Sequence, residues 1–143
     1  MANETSASIE IAASPEEIMA VIADFDSYPE WVDSMRSAEV LSYYDDGWAE
    51  TVRMTLDHPL VKDVYVLRYE WYADLVSWRL VEGTLLKTMD GSYALAPVGD
   101  HRTAVTYTLA VDVNMPMIGM FKRKAEKTII DGALKGLKNR VEG

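Results

Sequence analysis

The sequence predicts an α+β fold: a seven-stranded curved antiparallel sheet wrapping a long C-terminal helix, with two short helices after the first strand. Three observations carry this. Six segments rich in alternating apolar residues follow one another between residues 36 and 113 with only short turns between them, which makes neighbouring strands antiparallel. The chain then closes on one long amphipathic run, from Pro116 to about Arg140. A sheet of that size cannot leave both its own apolar face and that of the helix in water, so it must curl around the helix.

The elements read in order as follows. Thr5–Ala13 alternates, with Ala7, Ile9 and Ile11 facing one way and Ser8 and Glu10 the other, as a strand does. Ser14-Pro15-Glu16-Glu17 opens a helix: Ser14 suits the N-cap, Pro15 the first turn, and Glu17 completes a capping box. Ile18, Val21, Ile22 and Phe25 form its apolar face, and Asp26-Ser27-Tyr28-Pro29-Glu30-Trp31 breaks it and starts a second, short helix. Arg36–Tyr44 ends at the turn Asp45-Asp46-Gly47, Trp48–Asp57 at His58-Pro59, Lys62–Tyr72 near Ala73-Asp74, and Leu75–Glu82 at Gly83. Leu85–Pro97 contains Asp90-Gly91, read as a bulge, and Arg102–Val113 follows the Gly99-Asp100 turn.

Strand parity then names the inward face: Val52, Met54 and Leu56; Tyr65, Leu67, Tyr69 and Trp71; Val76, Trp78 and Leu80; Tyr93 and Leu95; Val105, Tyr107, Leu109 and Val111. On the last helix, Ile118, Phe121, Ala125, Ile129, Gly132, Ala133 and Gly136 share one face. That stripe is slim in its middle, and each interior Gly costs roughly 1 kcal/mol relative to Ala. Either another backbone approaches closely there, or space is left for something that is not protein.

Composition narrows the function. Residues 1–143 are read as a single domain, long enough to bury a core without staples. Cysteine is absent, which excludes disulfides, thiolate metal sites and Cys nucleophiles. The two histidines, His58 before Pro59 and His101 after Gly99-Asp100, both read as turn positions, so neither a His-based metal centre nor a Ser-His-Asp triad is expected. Met1-Ala2-Asn3-Glu4 has neither the basic start nor the apolar stretch of a signal peptide, and no run approaches the ~20 apolar residues of a membrane span. The expectation is a cytoplasmic protein. The net charge is −9, but residues 122–143 hold 7 basic against 3 acidic groups while the rest is strongly acidic. An acidic body argues against nucleic acid. The basic helix, with Lys122, Arg123, Lys124 and Lys127, is either a solvated face balancing the acidic sheet or a surface for transient contact with anionic lipid.

Specific segments carry a family likeness. Ser14-Pro15-Glu16-Glu17-Ile18, Phe25-Asp26-Ser27-Tyr28-Pro29-Glu30-Trp31, and Asp90–Pro97 followed by Thr103-Ala104-Val105-Thr106-Tyr107 resemble the helix-grip superfamily of START lipid-transfer domains, the birch-pollen-allergen fold and bacterial polyketide cyclase/dehydrase-like proteins. The stretch from Met115 to Glu126 looks closest to small actinobacterial members of the cyclase/dehydrase-like group. The resemblance spans essentially the whole chain, and its motifs are architectural. It implies a cavity between sheet and helix that binds an apolar small molecule, lipid-like or polyketide-like, without a cofactor or metal.

The candidate ligand-binding residues are Met54, Tyr65, Leu67, Tyr69, Trp71, Trp78, Tyr93, Tyr107, Met117, Phe121, Ala125, Ile129 and Gly132. Tyr and Trp combine an apolar body with a hydrogen-bonding tip, which holds a flat or chain-like ligand by area and orients it by a few polar groups; ordinary core packing would use them equally well. No catalytic residue stands out. Arg68 and Glu70 fall on the outward parity, and Glu50 is either exposed at its strand end or at the cavity rim. Three functions stay open: a carrier or sensor of an apolar small molecule, a polyketide cyclase or dehydratase in the same cavity, and a membrane-adjacent quinone- or lipid-binding interaction module.

Overall fold

The computed structural model describes residues 4–59, 62–113 and 119–143. Its elements are β1 (Thr5–Ile11), α1 (Pro15–Ala23), a 3-10 turn (Phe25–Ser27), α2 (Tyr28–Trp31), β2 (Met35–Tyr43), β3 (Ala49–Asp57), β4 (Lys62–Trp71), β5 (Leu75–Gly83), β6 (Leu86–Gly99), β7 (Arg102–Val113) and α3 (Gly119–Glu142). The strands form one antiparallel sheet in the order β1-β7-β6-β5-β4-β3-β2, so β1 closes one edge against β7 and β2 forms the other edge. Strand parity places the inward residues as the sequence indicates, with Trp71 and Leu80 half-buried and the others buried.

Local chemistry fixes the first helical segment. Ser14 Oγ accepts the Glu17 N–H at 3.2 Å, and Pro15 occupies the first turn. The Ser14 hydroxyl also donates to Glu17 Oε1 at 3.2 Å, so Glu17 closes the cap on that hydroxyl. At the other end the Tyr28 hydroxyl donates to the Ile22 carbonyl at 2.5 Å, satisfying one of the carbonyls that the end of α1 leaves open.

The long helix differs from its sequence reading. Its buried side is built from Ala125, Glu126, Ile130, Ala133, Leu134 and Leu137, while Ile129, Gly132 and Gly136 are half-buried at its margin. The stripe is displaced by about one residue, roughly 100° of helix rotation, because Ile130, Leu134 and Leu137 remove more apolar area from water than the glycine-rich face does. Glu126 goes in with them. Its Oε1 accepts the Thr5 hydroxyl at 2.7 Å and its Oε2 accepts the Val111 N–H at 2.8 Å. The carboxylate thus ties α3 to β7 where β1 begins, and both oxygens are satisfied as a buried charge requires.

The glycines have separate reasons. A Cβ at Gly136 would lie 2.0 Å from the Trp31 carbonyl oxygen, so this glycine lets α3 cross the end of α2 in backbone contact. A Cβ at Gly132 meets only the Asp33 Cβ, at 3.9 Å. Gly91 is not a bulge: Trp78 pairs with Gly91 and Arg79 with Asp90 in unbroken register, and β6 also runs in register with β7 there. A side chain at 91 would sit 2.4 Å from the Trp78 indole, so the missing side chain is what lets that ring lie flat across β6. A second buried carboxylate, Asp63, accepts the N–H groups of Val64, Thr84, Leu85 and Leu86 at 2.8–3.1 Å and so shapes the turn between β5 and β6.

Gly136→Ala should therefore destabilise the protein by about 1–3 kcal/mol through overpacking, whereas Gly132→Ala should be neutral or stabilise by up to about 1 kcal/mol through helix propensity. Urea unfolding midpoints compare the two; equal shifts would contradict the separate roles assigned to the two glycines.

Candidate functional site

Between the concave face of the sheet and α3 lies a cavity of about 70 Å³. Its sheet wall comes from Met54, Leu67, Tyr65, Tyr69, Trp78, Tyr93 and Tyr107, its helix wall from Ile129, Gly132 and Ala133, and Tyr28 adds a ring from α2. Asp33 and Thr128, both exposed, mark the side toward solvent. The structure thus brings together nine of the thirteen sequence candidates. Ala125 is buried but does not line the cavity. Trp71 lies beyond Tyr69, stacked on it at 5.5 Å, and opens toward the outer surface. Met117 lies outside the described residues, as does the Phe121 side chain.

The rings form a continuous cluster centred on Trp78, whose indole approaches Tyr69 at 5.6 Å, Tyr93 at 5.4 Å and Tyr107 at 5.6 Å, the last edge to face. Tyr93 and Tyr107 pair across β6 and β7 at 4.6 Å. Such offset and edge contacts are the favourable arrangements for aromatic rings. The wall is therefore stiff and shaped by contacts between its own members.

Polar groups are few and uneven in their satisfaction. Tyr28 and Tyr44 donate to backbone carbonyls, and Tyr72 reaches Glu70. Tyr65, Tyr69, Tyr93 and Tyr107 are each at least nine-tenths buried and line the cavity. Among the described residues the buried side-chain polar atom left without a hydrogen-bond partner is Trp31 Nε1, which does not line the cavity. Burial holds the phenols of Tyr28, Tyr65, Tyr69, Tyr93 and Tyr107 above their ordinary pKa, with neighbouring phenols adding in the same direction for Tyr28, Tyr69, Tyr93 and Tyr107, and Asp63 for Tyr65.

His58 lies in the connection just after β3, as its place before Pro59 indicates, yet it is buried and lines the cavity. It continues the inward parity of Val52, Met54 and Leu56, a signal that the following Pro59 outweighed. Glu126 carried a similar signal, lying four residues before Ile130 on the dominant apolar stripe. The outward acid–base groups stay outside. Arg68 and Glu70 are exposed, and Glu50 turns to Arg68 at 3.7 Å and to Ser42 at 3.3 Å instead of reaching the cavity rim. Among the described residues no cluster of His, Asp or Glu is placed to hold a metal ion, and no helix is long and apolar enough to cross a membrane. Arg123, Lys124 and Lys127 are exposed on α3.

Residues 3–142 match the family model described as polyketide cyclase / dehydrase and lipid transport. Among solved structures, a START superfamily protein from Mycobacterium smegmatis is 25% identical, with a TM-score of 0.91 over 97% of each chain. A protein from Thermus thermophilus is 23% identical, with a TM-score of 0.81 over 98% of this chain and 97% of that one. The Zhui aromatase/cyclase from a Streptomyces species is 14% identical, with a TM-score of 0.82 over 99% and 94%. The latter two likenesses concern the fold alone. No curated protein matches the chain.

The raised phenol pKa values set an alkaline limit on stability. A folded pKa above the unfolded value of about 10 contributes stability that is intact below pH ~10 and is lost as pH climbs toward the folded values. In the native protein at about pH 11, tyrosinate absorbance should fall well short of that of eight ionised tyrosines, with the remainder appearing in step with loss of circular dichroism. Full ionisation of a still-folded protein would contradict the buried cluster.

Proposed function

The chain belongs to the polyketide cyclase / dehydrase and lipid transport family, and from that premise we propose that residues 1–143 act as one unit that binds or transports an apolar small molecule, lipid-like or polyketide-like, between the sheet and α3. The observation that carries the reading is the aromatic wall of Tyr65, Tyr69, Trp78, Tyr93 and Tyr107 around the cavity between sheet and helix. A ligand with an apolar body and a few carbonyl or hydroxyl oxygens replaces water against that wall and is oriented by its phenol groups. At about 70 Å³ the cavity is well below the ~300 Å³ and more that ligand sites commonly occupy. Uptake therefore requires the wall to yield, and the half-buried margin of α3 at Ile129 and Gly132 is the part of the wall not locked into the core.

His58 favours a second reading, in which the same cavity performs a cyclisation or dehydration. An imidazole on the wall is the kind of group that general acid–base catalysis uses near neutral pH. The other buried ionisable groups argue for the carrier: Glu126 and Asp63 are committed to backbone and Thr5 donors, and Arg68 and Glu70 lie outside. Transient contact with an anionic membrane surface, through the exposed Arg123, Lys124 and Lys127, belongs to the carrier reading as its finer part.

Titration of intrinsic Trp fluorescence with fatty acids, quinones and aromatic polyketides tests the proposal. Trp78 sits in the wall, so binding should change its emission. Gly132→Leu, which directs a side chain into the open space, should weaken binding by about tenfold or more with the fold retained. A folded protein that responds to no apolar ligand would overturn every cavity reading. Turnover of a poly-β-ketone that His58→Gln abolishes, with binding retained, would replace the carrier with the enzyme.

A further inference from the structure

We propose that a second site, outside the sheet–helix cavity, takes a small organic cation of the quaternary or alkylammonium class, in the groove between α1 and the turns at the ends of β2 and β4. The groove has a volume of about 500 Å³. Three aromatic residues line it, Trp48, Trp71 and Tyr72, with Met19 and Ala20 of α1 contributing the apolar side and Glu16 and Asp46 the charge. Among the described residues no basic side chain lines it. The proposal does not rest on the function assigned to the inner cavity.

The arrangement is built. Trp71 Nε1 donates to the Ala49 carbonyl at 2.7 Å, and its ring is backed by Tyr69 at 5.5 Å, so its orientation is fixed from the inside. Trp48 is held by a turn: Asp46 Oδ1 accepts the Trp48 N–H at 3.0 Å, Gly47 supplies the positive φ of 92° that the turn needs, and the Tyr44 N–H donates to the Trp48 carbonyl at 2.8 Å. The two indoles approach at 5.0 Å with their planes 38° apart, which leaves a wedge between rings and not a closed stack. Trp48 is 39% exposed and Tyr72 56% exposed, so this is aromatic surface held in water rather than core.

Both halves of the lining select the same ligand. Aromatic faces carry negative potential and attract a weakly hydrated cation, and quaternary ammonium groups are recognised by such aromatic surrounds. The Glu16 carboxylate makes no hydrogen bond or ion pair with any described residue and is left to act on a ligand. An anion would meet two carboxylates with no compensating charge, and a neutral apolar molecule would gain nothing from them. The −9 charge of the chain adds a long-range attraction in the same direction.

Choline and its neutral isostere 3,3-dimethylbutan-1-ol are the probes, read by the indole N–H resonances of the four tryptophans. Choline, on the order of millimolar, should move the Trp48 and Trp71 signals and leave Trp31 and Trp78 in place. The neutral isostere should need at least about tenfold more to do the same, and about 0.5 M NaCl should weaken choline binding. Trp48→Ala should reduce affinity about tenfold; Glu16→Gln, an exposed substitution with little bearing on the fold, should reduce it about threefold. Phosphatidylcholine vesicles separate two sources of the same cation: binding to vesicles as well as to choline assigns a lipid headgroup, and binding to choline alone assigns a soluble cation. Equal response to the neutral isostere, no response to choline, or an affinity unchanged by Glu16→Gln would overturn the proposal.

Discussion

The structure depends on how α3 is held. Glu126 binds one part of it to Thr5 and Val111, and Gly136 seats another against the Trp31 carbonyl. Ten residues separate the two anchors, about 15 Å of helix at ~1.5 Å per residue. Between them Ile130, Ala133 and Leu134 stay in the core while Ile129 and Gly132 are turned toward the aromatic face of the sheet. The cavity exists because the anchors set the height of the helix above β4, β5 and β6. The tyrosines of the sheet then meet it with their rings.

Much of this was legible. Period-two alternation gave all seven strands, and the same parity named most of the wall, from Met54 through Tyr107. What the sequence leaves unread shares one physical origin: the burial of polar residues on an apolar stripe. His58 and Asp63 both carry the inward parity of their strands, and Glu126 lies on the stripe of Ile130, Leu134 and Leu137. What buries them is a set of backbone donors or neighbours supplied from far along the chain, such as Thr84, Leu85 and Leu86 around Asp63, and no local pattern reports those. The glycines show the same limit. Sequence marked the helix stripe as slim, but whether a glycine serves backbone contact or open space is decided by what crosses it, Trp31 at 136 and only the distant Asp33 Cβ at 132. At Gly91 the deciding partner is the Trp78 indole across the strand pair.

The interior chemistry separates scaffold from function. Carboxylates committed to backbone N–H groups hold the architecture, Glu126 at α3 and Asp63 at the turn after β5. The wall instead presents phenol rings, of which Tyr28 is tied to the Ile22 carbonyl. Tyrosine orients a ligand oxygen more readily than it removes a proton, because its ordinary pKa of about 10 is raised further by burial. Sequence identity of 14% to an aromatase/cyclase does not carry its activity to this chain. Recognition by area and a few oriented hydroxyls, with His58 as the group to watch, is the chemistry these side chains support.

Native mass spectrometry of the protein purified without added ligand tests the central claim most directly. The account predicts a bound species with an apolar body and hydrogen-bonding oxygens, released on denaturation and reduced in Gly132→Leu. A protein that purifies free of any small molecule, and that takes up none when lipids, quinones and polyketides are offered in excess, would contradict it.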